Sequence, residues 1–279
     1  MALVSLVACN KEGVQTVGET LSANAYISSG ATKTVYDNLP DSYGLKDPVK
    51  VSWDVSESFK AYYDGGAAPV IFSKTAAGTS FTAESVPSGV TASTTFTGLY
   101  GSAATLNSDG KIDIDFSDQD GTVENLAAYD VMTATSELNQ GMLSFAFKHN
   151  CAILRLKCVN HVNKAVNNVI LLFNNATISS AFGFTGFSRD ENKRWILSIT
   201  LKNSSKEGSP IENQGSVDYR YVMVPAMTYC HIGESVPFGS MDAFVRQIDL
   251  SKDIRAGYVY DVVCDAGAEG DENGDFWAE

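Results

Sequence analysis

Short runs in which apolar and polar residues alternate dominate this chain. Lys111-Ile112-Asp113-Ile114-Asp115-Phe116 puts Ile112, Ile114 and Phe116 on one face and both Asp on the other. That is the period-two pattern of a half-buried strand. Val49 to Trp53 alternates in the same way. Phe81, Val86, Val90, Phe96 and Leu99 recur at strand-like spacing through a Ser/Thr/Ala/Gly-rich stretch, where Thr is a good strand former. Asp64-Gly65-Gly66, Pro87-Ser88-Gly89 and Asp109-Gly110 lie between such runs and signal turns. Helical periodicity is nearly absent. In the more apolar second half, Met142 to Cys158 reads as two abutting strands, with Phe145 and Phe147 on one face. Leu154, Leu156 and Cys158 then face inward while Arg155 and Lys157 face out, and the change of phase at His149-Asn150 predicts a β-bulge. Asn168 to Phe173 reads as a buried strand, followed by strands over 194–201, 218–225 and 257–264.

Many short strands at this spacing indicate β-sandwiches rather than a parallel α/β sheet. At 279 residues the chain exceeds the ~100–150 residues usual for one domain, which makes two the expectation. The acidic turn Asp118 to Gly121 closes the first set of strands. The expected division is a signal and polar tether over 1–24, an N-terminal domain over 25–122, a C-terminal domain over 123–265 and an acidic tail over 266–279.

Twenty Lys+Arg against 33 Asp+Glu give a net charge of −13, a field that repels a phosphate backbone and argues against nucleic acid as a partner. No Arg precedes Arg155. No apolar run approaches the ~18 residues of a spanning helix. Of the five Cys, Cys151, Cys158, Cys230 and Cys264 sit in strand-like apolar stretches, where buried thiols are common. Their three full pairings stay open, and mostly unpaired thiols are expected.

Chemistry-bearing patterns are few. His149, Cys151, Cys158 and His161 are zinc-ligand types, but one strand over 151–158 separates its ends by ~23 Å, too far for one metal. Asp113, Asp115, Ser117 and Glu124 follow calcium-loop spacing, yet position six is Asp118 where the sharp turn needs Gly. Cys230 and His231 are strand neighbours that point to opposite faces, and no Gly-x-Ser-x-Gly elbow exists. Trp53 and Trp195 lie in alternating runs and read as core, whereas Tyr62-Tyr63, before a Gly-rich turn, is the better surface candidate for stacking on a sugar. No catalytic residue, metal or cofactor is expected.

The N-terminus carries the clearest functional signal. Leu6-Val7-Ala8-Cys9 resembles the lipobox at which bacterial lipoproteins are cleaved and acylated, which makes Cys9 the candidate lipidation site. Only eight residues precede it, without Lys or Arg. A secretory signal needs a charged segment and ~7–15 apolar residues, so the expectation is a start codon further upstream or a cut chain.

Further strings resemble the fimbrillin-like proteins of Bacteroidales. They are Tyr129-Asp130-Val131-Met132-Thr133-Ala134, Phe145 to Leu156 with its Phe-x-Phe-x-His core, and Ile254 to Tyr260 with Ala256-Gly257. In the first half, Val51-Ser52-Trp53-Asp54 and Ala92 to Gly98 resemble that family's Trp-containing and Phe-x-Gly strands. The ordered set spans most of the chain. The resemblance implies an all-β protein of two tandem transthyretin-like antiparallel β-sandwich domains, exported and lipid-anchored at the outer membrane. It further implies a pilus component or surface adhesin whose partners are other pilus subunits, joined by β-strand addition, with a host protein or glycan as a further partner. Processing by an Arg-specific protease is impossible before Arg155, which leaves Lys33, Lys46 and Lys50 as processing candidates, with Lys60 beside them. The Gly-rich acidic end is poor material for a donor strand, so an anchor or tip role fits better than a stalk. The alternative is a glycan-binding outer-membrane lipoprotein of a polysaccharide-uptake system.

Overall fold

The computed structural model describes residues 20–27, 53, 56–63, 68–74, 78–162, 165–174, 176–178, 182–191, 193–202, 217–229, 243–249, 253–266 and 277–278. Twenty strands and one helix follow in chain order. They are β1 (Ser22–Ile27), β2 (Ser58–Tyr63), β3 (Val70–Lys74), β4 (Ser80–Ala83), β5 (Thr95–Tyr100), β6 (Ala104–Leu106) and β7 (Ile112–Asp115), then α1 (Val123–Tyr129), β8 (Met132–Glu137), β9 (Met142–His149) and β10 (Cys151–Asn160). After these come β11 (Asn168–Asn174), β12 (Ala176–Ile178), β13 (Phe182–Thr185), β14 (Phe187–Arg189), β15 (Trp195–Thr200), β16 (Val217–Pro225), β17 (Met227–Tyr229), β18 (Phe244–Asp249), β19 (Val259–Ala266) and β20 (Trp277–Ala278). The all-β reading agrees with this, and the strands expected over 111–116, 168–173, 194–201, 218–225 and 257–264 are present within a residue or two.

Seven strands close a barrel in the order β1-β4-β3-β2-β5-β8-β9. Its interior is aromatic because small inward residues leave room for rings. Ala23, Ala25, Ala61 and Ala134 are buried beside Phe59, Phe72, Phe81, Phe96, Phe145 and Phe147. Phe59 sits at the centre, its ring 5.1–5.2 Å from those of Phe72, Phe81, Phe145 and Phe147. Gly98 completes the set of small positions. A Cβ there would lie 2.9 Å from Phe147 Cζ and 3.0 Å from Phe145 Cδ1, closer than packed side chains approach, so the Phe-x-Gly string records a steric demand. Gly98→Val is expected to destabilise the barrel by about 1–3 kcal/mol through overpacking, read as a lower urea midpoint at unchanged slope.

The second unit is built on a sheet ordered β14-β15-β11-β18-β19-β10-β16, with β20 paired to β19. Two small sheets, β12-β17 and β13-β7-β6, stand beside it. Its core gathers Leu154, Leu156, Cys158, Val169, Leu171, Phe173, Val222, Val224, Phe244, Tyr260, Val262 and Cys264. The pairing is not purely antiparallel as expected, since β1 with β9, β10 with β19, β11 with β18 and β13 with β7 are parallel. Parallel neighbours arise from chain crossovers, which local alternation does not encode.

The two cores draw on interleaved stretches of the chain. Ala104, Ile114, Phe116, Leu126, Tyr129 and Val131 belong to the second core, while Met132, Ala134, Leu138, Leu143, Phe145 and Phe147 belong to the barrel. Chain therefore leaves the barrel after β5, visits the second core, and returns for β8 and β9. The acidic turn over 118–121 lies inside this excursion and covers the edge of β16. Gln119 Nε2 donates to the Met223 carbonyl at 2.9 Å, the Met223 N–H donates to Gln119 Oε1 at 2.6 Å, and the Tyr221 N–H donates to the Gly121 carbonyl at 3.0 Å. A side-chain amide here takes the place of the next strand and blunts an edge that could otherwise pair with another chain.

Short α1 follows directly. Thr122 caps it by accepting from the Asn125 N–H, with Glu124 in the first turn and Leu126 and Tyr129 buried. Seven residues are too few to display helical periodicity, which is why the pattern does not reveal it. At His149-Asn150 the structure has a crossing rather than a bulge. β9 ends the barrel at His149 and β10 begins the second sheet at Cys151. A change of inward phase is the signature of both.

Candidate functional site

The segment most open to a functional role is β1. It is the first strand among the described residues, and it closes the barrel between two others. Six register pairs join it in parallel to β9, from Ser22↔Met142 to Ile27↔Phe147, and three join it antiparallel to β4, from Ser22↔Thr82 to Asn24↔Ser80. Leu21, Ala23 and Ala25 plug into the core, while Ser22 and Asn24 are half-buried and Tyr26 is exposed. Further ties are the Ala25 N–H to the Thr79 carbonyl at 2.8 Å, the Ala83 N–H to the Leu21 carbonyl at 2.9 Å and Trp53 Nε1 to the Ala25 carbonyl at 2.8 Å. The Trp53 ring lies 5.3–5.6 Å from Phe81, Tyr100 and Phe147, so the Trp of the first-half string anchors this strand against the barrel. Without β1, the β4 and β9 backbones would face each other across an apolar trough of one strand's width. Such a trough can take a strand by main-chain hydrogen bonding, with alternate side chains filling the core positions.

The first half of β1, residues 22–24, lies in the stretch expected to be tether. Its signal is the alternation Leu21, Ala23, Ala25 against Ser22, Asn24, Tyr26, which small Ala side chains make faint. Cys9, Lys33, Lys46 and Lys50 lie outside the described residues, as do Cys230 and His231. Lys60 is set in β2, and its Nζ donates to the Ala104 carbonyl at 3.2 Å, tying the barrel to the second unit. Lys74 is buried, and its Nζ donates to the Trp53 carbonyl.

A second constellation lies where the chain crosses between the units. Asp130, just after α1, and His149, at the end of β9, meet through Oδ1 and Nδ1 at 2.7 Å with both side chains about 1% exposed. Around them the Asn150 N–H donates to the Val131 carbonyl at 2.8 Å and Asn150 Nδ2 donates to Thr133 Oγ1 at 3.0 Å. Burial, and secondarily the Asp130 carboxylate, pushes the Cys151 thiol far up, so this thiol is protonated and inert. The Tyr129-Asp130 and Phe-x-Phe-x-His strings thus meet in space. Their polar members form one buried hydrogen bond, with no access for a substrate.

The other sequence candidates separate. Cys158 lies beside Cys264, at the opposite end of β10 from Cys151. His161 is half exposed, and its Nε2 sits 3.1 Å from Asp265 Oδ1. Asp115 accepts from the Ser117 N–H at 3.0 Å and from its hydroxyl at 2.5 Å, bonds that hold its carboxyl below the usual range. Burial, followed by the Asp118, Asp115 and Asp120 carboxylates, pushes the Tyr129 phenol up to about 12. Among the described residues no group of three or more His, Cys, Asp or Glu side chains could hold a metal ion, and no helix is long and apolar enough to cross a membrane.

Tyr62 and Tyr63 do not form a surface platform. Tyr62 packs on the second core and Tyr63 on the barrel core, its ring 5.4 Å from Phe96. Trp53 is buried as expected. Trp195 is half-buried, and one of its faces is covered by the Arg189 guanidinium 3.9 Å from the ring centre.

No family model matches the chain, and no curated protein sequence does. Solved structures do resemble it. A proposed cell adhesion protein of Bacteroides ovatus aligns over 92% of this chain and 95% of its own at 10% identity, with a TM-score of 0.43. A second, from Bacteroides uniformis, aligns over 90% and 95% at 15% identity with a TM-score of 0.37. A fimbrial protein of Bacteroides ovatus aligns over 88% of this chain and 49% of its own at 11% identity, with a TM-score of 0.27. This chain therefore spans about half the length of that fimbrial protein.

Proposed function

We propose that this chain is a non-catalytic, surface-displayed component of a pilus or adhesive fibre, of anchor or tip type. In this reading Cys9 carries the lipid that holds it at the outer membrane, and other subunits join it by β-strand addition. The observation that carries the reading is β1, an N-terminal strand with small inward side chains that fills one strand's width between β4 and β9. The candidate processing residues Lys33, Lys46 and Lys50 all follow β1 in sequence and precede β2. A cut at any of them would leave β1, and the Cys9 segment ahead of it, held to the barrel only non-covalently; a cut chain that exchanges β1 for a neighbour's strand parts from the lipid, so an uncut chain serves as the anchor and a cut one as a subunit further along the fibre. The ordered fimbrillin-like strings support the same reading, because Trp53, Gly98, Asp130 and His149 each have a structural task in or beside this barrel. Among the described residues the glycan-binding alternative loses its candidate platform, since Tyr62 and Tyr63 are engaged in the two cores.

Native digestion with a Lys-specific protease, followed by addition of a fluorescent peptide of sequence 20–28, tests the proposal. The expected result is cleavage between β1 and β2, loss of residues 20–27 on gel filtration, and capture of the peptide by the cut chain but not by the intact one. A cut, folded chain that neither releases β1 nor takes up the peptide would sink the strand-exchange reading. Intact mass of the membrane-extracted, full-length gene product tests the anchor separately, with a chain beginning at acylated Cys9 as the expected result.

A further inference from the structure

The sequence leaves every pairing of the four internal Cys open, whereas the fold brings two of them together. Cys158 on β10 and Cys264 on β19 are direct register partners on adjacent parallel strands. Both are 0% exposed and belong to the same core. Register partners on neighbouring strands carry their side chains on the same face at a spacing of ~4.8 Å, inside the ~4.4–6.8 Å range of Cα separations that disulfides span. Cys151 is seven residues away along β10 and packs at the Asp130 end, so it cannot compete for either thiol. We propose that Cys158 and Cys264 are a disulfide site, closed when the chain folds in an oxidising compartment.

The reaction is two successive thiol–disulfide exchanges. One Cys thiolate attacks a sulfur of an oxidant disulfide, such as oxidised glutathione or the disulfide of a protein thiol oxidase, forming a mixed disulfide and releasing one thiolate. The partner thiolate then attacks the protein sulfur of that mixed disulfide, closes Cys158–Cys264 and releases the second thiolate. Two electrons pass to the oxidant, and the two protein protons end on the released thiols. In the folded chain, burial and the neighbouring Cys264 hold the Cys158 thiol well above its ordinary pKa, and no oxidant reaches it. Closure therefore belongs to folding, as β19, which follows all the other long strands in sequence, docks against β10. The bond would clip a loop of about a hundred residues, the kind whose closure removes the most freedom from the unfolded chain.

In the cell this site depends on the export proposed above. A test in vitro separates the two readings. The full chain is reduced, denatured and refolded in oxidised and reduced glutathione, with reduced glutathione alone as reference, then denatured in iodoacetamide and mapped by peptide mass. The expected map joins the Cys158 and Cys264 peptides and leaves Cys151 alkylated. The oxidised chain is expected to melt about 10 °C above the reduced one, and C158A/C264A, which keeps an apolar core, to lose that difference. Folding in each arm is checked by circular dichroism. A folded chain with both thiols alkylated after oxidative refolding overturns the site, as does a map in which either Cys pairs with Cys9, Cys151 or Cys230.

Discussion

Asp261→Asn is expected to lower the unfolding free energy by about 3–5 kcal/mol, the cost of taking a paired carboxylate away from a buried guanidinium. Arg155 lies mid-strand in β10 with 0% exposure, between register partners Tyr221 on β16 and Asp261 on β19. Its Nε and Nη2 donate to the two carboxylate oxygens of Asp261. Burial opposes the charge, but the Asp261 hydrogen bonds and charge more than offset it, and the guanidinium is held above its ordinary pKa. An amide offers one acceptor where the carboxylate offers two, and it turns an N–H₂ donor toward a group that carries only donors. The double substitution R155M/D261V removes both charges together and is expected to recover at least half of the loss, because a buried ion pair exchanged for apolar volume is close to neutral. Chemical denaturation of wild type, Asp261→Asn and R155M/D261V gives the numbers. An Asp261→Asn midpoint within error of wild type would show that the pair is not what keeps Arg155 in the sheet.

Arg155 also shows where the pattern of residues stops being informative. Alternation assigned it correctly to the face opposite Leu154 and Leu156, and from there the usual inference for a charged side chain is solvent. Its burial depends on Tyr221 and Asp261, delivered by β16 and β19, which lie over 60 and 100 residues downstream. Strand positions with strong apolar alternation, such as Ile112-Ile114-Phe116 or Val169 to Phe173, were legible because each strand declares its own buried face. Partner choice was not. Parallel β1–β9, β10–β19 and β11–β18 are products of chain crossovers, and so is the exchange by which β6, β7 and α1 join the second core while β8 and β9 return to the barrel. The candidate site suffered in the same way. β1 hides because Ala fills its inward positions, and the Asp130–His149 pair hides because its members sit 19 residues apart in strings that each looked complete.

That pair yields the second large effect, and its asymmetry is the informative part. His149→Phe is expected to cost about 3–5 kcal/mol, since it leaves the Asp130 carboxylate buried without its imidazole donor. Asp130→Asn is expected to cost less, about 1–3 kcal/mol, because the amide keeps an oxygen that can still accept a hydrogen bond from the imidazole. The surroundings sharpen the contrast. Asp130 closes α1, its N–H bonded to the Leu126 carbonyl at 3.0 Å, while His149 pairs with Met132 as the last residue of β9. One hydrogen bond thus fixes the end of the helix that serves the second core to the last rung of the barrel, at the point where the chain passes between them. Loss of the pair is accordingly expected to expose the crossover around Asn150, detectable as faster amide exchange there with the barrel interior still protected. Equal costs for the two substitutions, or a double-mutant coupling below about 0.5 kcal/mol, would mean that the 2.7 Å contact is a by-product of packing and that the two units are held together by their apolar faces.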